Sequence, residues 1–108
     1  MNKRLKTFIT ILAGVTGISV AQPALADGDV VCGGGPRENW SSLREVRRAA
    51  WLERWEIIDV RIEGDCYEVY ARTEQGHAIE AFFHPVTLEK LVVFRRGREI
   101  FRRQGFTG

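Results

Sequence analysis

Between Trp55 and Phe94 the chain repeats one pattern: a short run rich in Ile, Val, Tyr and Phe, then a break. The breaks are Gly64-Asp65, Gln75-Gly76 and His84-Pro85. Glycine supplies positive φ, and proline fixes φ and removes a backbone donor, so each break is a turn. Apolar and β-branched runs of this length between turns are strands, and turns this short join antiparallel neighbours. The stretch therefore predicts a four-stranded antiparallel meander, with strands over about 56–63, 66–74, 77–83 and 90–94.

Side chains alternate between the two faces of a strand. In the first strand Ile58, Val60 and Ile62 share one face, and Ile57, Asp59, Arg61 and Glu63 the other. In the second, Tyr67, Val69, Ala71 and Thr73 oppose Cys66, Glu68, Tyr70, Arg72 and Glu74. In the third, Ile79, Ala81 and Phe83 oppose Ala78, Glu80 and Phe82. One face is thus apolar enough to form a core, and the other is mixed and faces water. Tyr70 and Phe82 fall on the mixed face. Two aromatics there are either a partner-binding patch or an ordinary cross-strand pair.

A helix precedes the sheet. Ser42 and Glu45 have capping-box spacing, in which the hydroxyl takes the Glu45 N–H and the carboxylate reaches back. Leu43, Val46, Ala50 and Trp51 follow at three- and four-residue steps and predict the buried stripe. Arg44, Arg47, Arg48, Glu45 and Glu53 lie mostly on the remaining surface, which reads as a solvated face. Trp40 and Trp55 flank the helix, placed to seal the two ends of the core. The expected core is Leu43, Val46, Ala50 and Trp51 against Ile58, Val60, Ile62, Val69, Ala71, Ile79 and Phe83. The fold class is α+β: one helix packed on a four-stranded antiparallel meander.

The first 26 residues stand apart. Lys3, Arg4 and Lys6 form a basic region, residues 8–21 are apolar and uncharged, and Ala24-Leu25-Ala26 presents small residues where a signal peptidase reads them. This predicts a secretory leader cut between Ala26 and Asp27, and a periplasmic protein. The apolar run is shorter than the ~20 residues of a membrane span. The leader also carries the excess charge. The whole chain has 16 basic and 14 acidic residues; without the leader's three basic residues the balance is 13 to 14, or −1. The net positive charge thus reflects export, and nucleic acid is not an expected partner. The division is 1–26 signal peptide, 27–40 Gly-rich coil, 41–94 α+β domain and 95–108 arginine-rich tail.

An exported domain this small gains from a staple. Cys32 and Cys66 are an even pair bound for an oxidising compartment, which predicts a disulfide. Closing a loop of that span stabilises by roughly 3–4 kcal/mol in the chain-entropy model. A redox or metal pair is the alternative, but there is no C-x-x-C spacing and no adjacent histidine. Gly33-Gly34-Gly35-Pro36 reads as coil that carries Cys32 to Cys66. A phosphate loop would need a following Lys-Ser/Thr, which is absent.

The segment from residue 43 to 94 resembles the PepSY domain, a module named after peptidase propeptides. The resemblance rests on the helix, the strand Gly64-Asp65-Cys66-Tyr67-Glu68-Val69-Tyr70, the acidic-Gln-Gly turn at Glu74-Gln75-Gly76, and Phe83-His84-Pro85-Val86-Thr87. It resembles the small stand-alone versions exported by Gram-negative bacteria. The family usually has Asp where His84 stands and Gly where Leu88 stands, so a wider last turn is expected here. The resemblance implies a non-catalytic binding, inhibitory or regulatory module, since such units occur in propeptides that restrain thermolysin-like peptidases and as regulators of envelope activities.

The residues themselves offer no catalytic constellation. His77 and His84, seven apart, point to opposite faces and cannot share a metal by local spacing. Glu68, Glu74 and Glu80 share a face with Arg61 and Arg72, which makes them cross-strand ion pairs. No Ser or Cys nucleophile lies beside a base, and Ser41 and Ser42 belong to the helix start. No catalytic, cofactor or metal residue is assigned, and the expectation is not an enzyme. Two functions remain open. One is a periplasmic module that binds a protein partner. The other is an envelope-surface protein whose tail, with Arg95, Arg96, Arg98, Arg102 and Arg103 against Glu99, docks on anionic lipid or lipopolysaccharide. The tail also reads as a solvated end.

Overall fold

A computed structural model describes residues 30–108. The predicted leader and the Ala26–Asp27 cleavage site lie outside the described residues. A 3-10 turn at Arg37–Asn39 leads into helix α1, Leu43–Trp51. Five strands follow: β1 Glu56–Glu63, β2 Cys66–Arg72, β3 Ala78–Phe83, β4 Lys90–Arg95 and β5 Arg98–Arg102. They form one antiparallel sheet in sequence order, with β1 and β5 at its edges. The class is α+β as expected, but the meander has five strands and not four.

The helix starts where its cap dictates. The Ser42 hydroxyl accepts the Glu45 N–H at 3.2 Å, and the Glu45 carboxylate accepts the Ser42 N–H at 2.9 Å. Two N–H groups that a helix start leaves unpaired are thereby satisfied. At the other end Arg54 takes the left-handed conformation, φ 69°, and its N–H donates to the Trp51 carbonyl at 2.8 Å. The chain then turns into β1.

Of the helix, Val46 and Ala50 are fully buried and Ala49 partly. Trp51 is 66% exposed and Leu43 50% exposed, so the predicted stripe was too wide. At 100° per residue, Trp51 lies about 140° around the helix from Val46, facing away from the sheet. The core on this face joins Val46 and Ala50 to Tyr67, Val69, Ala71, Ile79, Ala81, Phe83 and Val93. Trp40 and Trp55 close its ends, edge-on to Tyr67 at 5.3 Å and to Phe83 at 6.3 Å.

Three bulges shift the alternation. Ile57 pairs with Ala71 and Asp59 with Tyr70, which leaves Ile58 as the extra residue of β1. Ile57 thus joins the helix-side core, and Ile58, expected there, is exposed. Val60 packs against that core, whereas Ile62 is 42% exposed and does not join it. Leu91 is the extra residue of β4 and turns to the opposite face. Ile100 is the extra residue of β5.

The fifth strand corrects the reading of 95–108 as a tail. Arg96 and Gly97 both have positive φ, 56° and 75°, and form a two-residue turn with Arg95 opposite Arg98. Positive φ at both central residues matches the twist of a tight hairpin. β5 pairs through Val92–Arg102 and Val93–Phe101. Lys90 fixes it further: its ammonium lies 4.3 Å from the Phe101 ring centre and donates to Glu53 at 2.9 Å.

Candidate functional site

The second face of the sheet was expected to meet water. It carries a second core instead: Val30, Cys32, Cys66, Phe82, Leu91 and Val92, with Phe94 and Phe106 packed against it. Phe82 is wholly buried and meets Phe94 edge-on at 6.0 Å. It is therefore not a partner contact. The N-terminal coil brings Val30 and Cys32 over this face. Tyr70 stays half-buried at the edge of that cover, with the Arg61 guanidinium 4.7 Å from its ring centre. Glu68 is buried between them in register, opposite Arg61 on β1 and Phe82 on β3.

Three features hold the coil down. Cys32 and Cys66 are joined by a disulfide, with Cα atoms 5.3 Å apart. The Asp65 carboxylate accepts the N–H groups of Cys32, Gly33 and Gly34 at 2.9, 2.6 and 3.1 Å. Gly34 meets Pro85 and the Asp65 carbonyl so closely that a Cβ there would sit 2.5 Å and 2.7 Å from them. Partial burial pushes the Asp65 carboxyl up, but the Cys32, Gly34 and Gly33 N–H bonds outweigh it and hold the group below its ordinary value. The glycine run is thus an anchored strap. Cys32, Asp65 and Cys66 are also a His/Cys/Asp/Glu group close enough to share an ion, but both sulfurs are spent on the disulfide.

The last turn shows how the chain handles its two departures from the family pattern. His84 Nδ1 accepts the N–H groups of Val86 and Thr87 at 3.1 and 3.2 Å. That is the work an aspartate side chain does in such a turn. Leu88, where the pattern has Gly, adopts φ 64°. Its N–H donates to the His84 carbonyl at 2.8 Å, and the His84 N–H donates to the Glu89 carbonyl at 2.9 Å. The turn closes despite both changes. His77 lies before β3, at the far end of that strand from His84.

The arginines of the last segment divide into two groups. Arg102 pairs with Glu99 at 2.8 Å, and Arg103 with Glu89 at 3.0 Å. Arg102 also lies 5.3 Å from the Phe106 ring centre and donates to the Phe106 carbonyl. Arg95, Arg96 and Arg98 cluster around the β4–β5 turn and enter no ion pair among the described residues.

A feature the sequence reading missed lies at the other edge. Between α1 and β1 runs a groove lined by Arg44, Glu45, Arg47, Arg48, Trp51, Leu52 and Ile57. Leu52, like Trp51, is 66% exposed, and Ile58 on β1 is 56% exposed. Among the described residues no strand pairs with the outer side of β1. The available signal was Trp51-Leu52 next to three arginines on a short helix, an apolar pair with no place in the core.

A helix on one face, a stapled strap on the other and an open groove at the edge define a small α+β module whose accessible features are surfaces. The family model described as peptidase propeptide and YPEB domain, PepSY_2, matches residues 8–92, and the chain belongs to that family. No curated protein and no solved structure matches it.

Proposed function

We propose that this chain is a non-catalytic regulatory module that binds, and restrains, a peptidase or another protein of the bacterial envelope. The observation that carries this reading is the match to a peptidase-propeptide family across 8–92, most of the chain. Two further features support an envelope location. The basic and apolar leader with its Ala24-Leu25-Ala26 end supports export and cleavage before Asp27. The Cys32–Cys66 disulfide suits an oxidising periplasm. The test is retention. Immobilised, exported, disulfide-bonded chain is washed with periplasmic extract, and the bound protein is identified and assayed. A retained envelope protein whose activity falls on binding supports the proposal; no specific retention overturns it.

The envelope-surface reading draws on Arg95, Arg96 and Arg98, which have no acidic partner among the described residues. It is the weaker of the two, because Arg102 and Arg103 are already paired and Ile100 and Phe101 belong to β5. Salt separates the readings. Arginine–phosphate attraction is screened steeply with ionic strength, whereas a packed protein contact is not.

A further inference from the structure

We infer that the groove between α1 and β1 docks an extended acidic segment of a partner protein, which adds to the sheet as a strand on the open edge of β1. This rests on the regulatory-module reading and gives it a site. An edge strand presents a row of N–H and C=O groups that a neighbouring chain can pair. β1 has eight residues and, among the described residues, no strand on its outer side. Its bulge at Ile58 bends the edge but leaves that side chain exposed rather than covered. Beside the edge, Trp51, Leu52 and Ile57 offer apolar contact. A large exposed tryptophan next to a leucine is the kind of anchor that interfaces bury.

Charge selects the occupant. Arg44, Arg47 and Arg48 line the groove and enter no ion pair within 4.0 Å among the described residues, although six other pairs form there. Glu45, the acidic residue among them, is engaged in the helix cap. The hydrogen bond from Arg61 holds the Asp59 carboxyl below its ordinary value, with Arg47 adding a smaller attraction. Carboxylates on the helix-facing side of an added strand would meet three guanidinium groups with planar forks free. On the other side Asp59 and Glu63 flank Arg61, which pairs with Asp59 at 2.8 Å, so that face sets no preference for acid and neutral residues suffice there. A second copy fits poorly. Two β1 edges paired antiparallel would place both arginine rows side by side on one face. The chain's own leader fits no better, since its charges are Lys3, Arg4 and Lys6.

The experiment uses the exported, disulfide-bonded chain labelled for amide NMR. The probe is the peptide acetyl-Glu-Thr-Ile-Thr-Glu-Thr-Glu-amide, and its control carries Lys at each Glu. The expected result is saturable shifts of the β1 amides and the Trp51 indole with the acidic peptide. Binding should be at least tenfold weaker for the lysine peptide and for the triple variant R44E/R47E/R48E. All three sites are exposed, so an unchanged melting curve checks that the variant folds. Absent shifts, shifts confined to the Arg95–Arg98 turn, or a β1-mediated dimer in place of peptide binding would each overturn the inference. Failure of the site and failure of the functional reading are separable. Restraint of a partner that persists in the triple variant sinks the site alone, and peptide docking without any partner restrained sinks the regulatory reading alone.

Discussion

Phe82→Ala tests whether the strap is structural. Phe82 is wholly buried in the second core, between the disulfide and Phe94. Truncating a buried Phe costs about 3–5 kcal/mol, the larger values where the surroundings cannot collapse into the gap. Here they cannot collapse easily. Cys32 is bonded to Cys66, and Asp65 holds the N–H groups of Cys32, Gly33 and Gly34, so Val30 and Cys32 cannot settle inward. The upper half of the range is therefore expected. A domain of this size is stable by roughly 0.05–0.15 kcal/mol per residue, about 4–12 kcal/mol over residues 30–108, so that loss removes between a third and all of the margin. Phe82→Leu, at about 1 kcal/mol, gives a measurable folded variant. Urea unfolding followed by tryptophan fluorescence, with the disulfide intact, reads both. A slope near 1 kcal/mol/M shifts the midpoint by roughly 1 M for Phe82→Leu. Phe83→Ala on the helix side should cost about as much as Phe82→Ala. A cost below about 1 kcal/mol for Phe82→Ala, with Phe83→Ala at its full value, would refute the buried second face and restore a water-facing one.

Three further outcomes follow from the anchors and the last hairpin. Asp65→Ala removes an acceptor shared by three N–H groups and should cost about 2–3 kcal/mol; because the folded-state carboxyl is held below its ordinary value, its contribution is present above that value and is lost as pH falls through the folded pKa, so the acid limb of a stability–pH curve should flatten in the variant. Truncation after Gly97 should lower the melting temperature by roughly 8–16 °C, for about 2 kcal/mol, since it deletes β5, the Phe101–Lys90 contact and the Arg103 N–H bond to Leu91; a loss under a few degrees would mean that β5 is dispensable. His84→Ala should cost about 1 kcal/mol by thermal melting, and His84→Asp should recover most of it, because both side chains accept the Val86 and Thr87 N–H groups; equal losses would deny His84 that role.

Local chemistry made much of the fold legible. Ser42 and Glu45 fixed the helix start, and Gly64-Asp65 placed a two-residue turn between Glu63 and Cys66. What stayed hidden depends on tertiary context. The bulge at Ile58 moved Ile57 into the core; the adjacent pair Ile57-Ile58 breaks the alternation but does not say which of the two is the extra residue. β5 escaped notice because all five of its residues are exposed, which leaves no burial pattern; its signal was the Arg96-Gly97 turn. Phe82 was misplaced because a glycine-rich strap has no periodicity to announce which face it covers. The clue was present, since Cys66 and Phe82 share a face and a bond from Cys66 to Cys32 must draw the coil across it. The docking groove was half legible: Arg44, Arg47 and Arg48 read as a solvated face, and Trp51 was assigned to the core.

The most direct test of the regulatory reading is a titration of peptidase activity. A thermolysin-like metallopeptidase from the same envelope is held at fixed concentration, and its initial rate is followed as exported, disulfide-bonded chain is added at 0.05–0.5 M salt, roughly the range over which exposed charge contacts are screened. A stoichiometric fall in rate, retained at high salt and reversed when the chain is unfolded, is the predicted result. Rates unchanged at a large excess of chain, together with co-sedimentation on anionic vesicles that high salt abolishes, would contradict it.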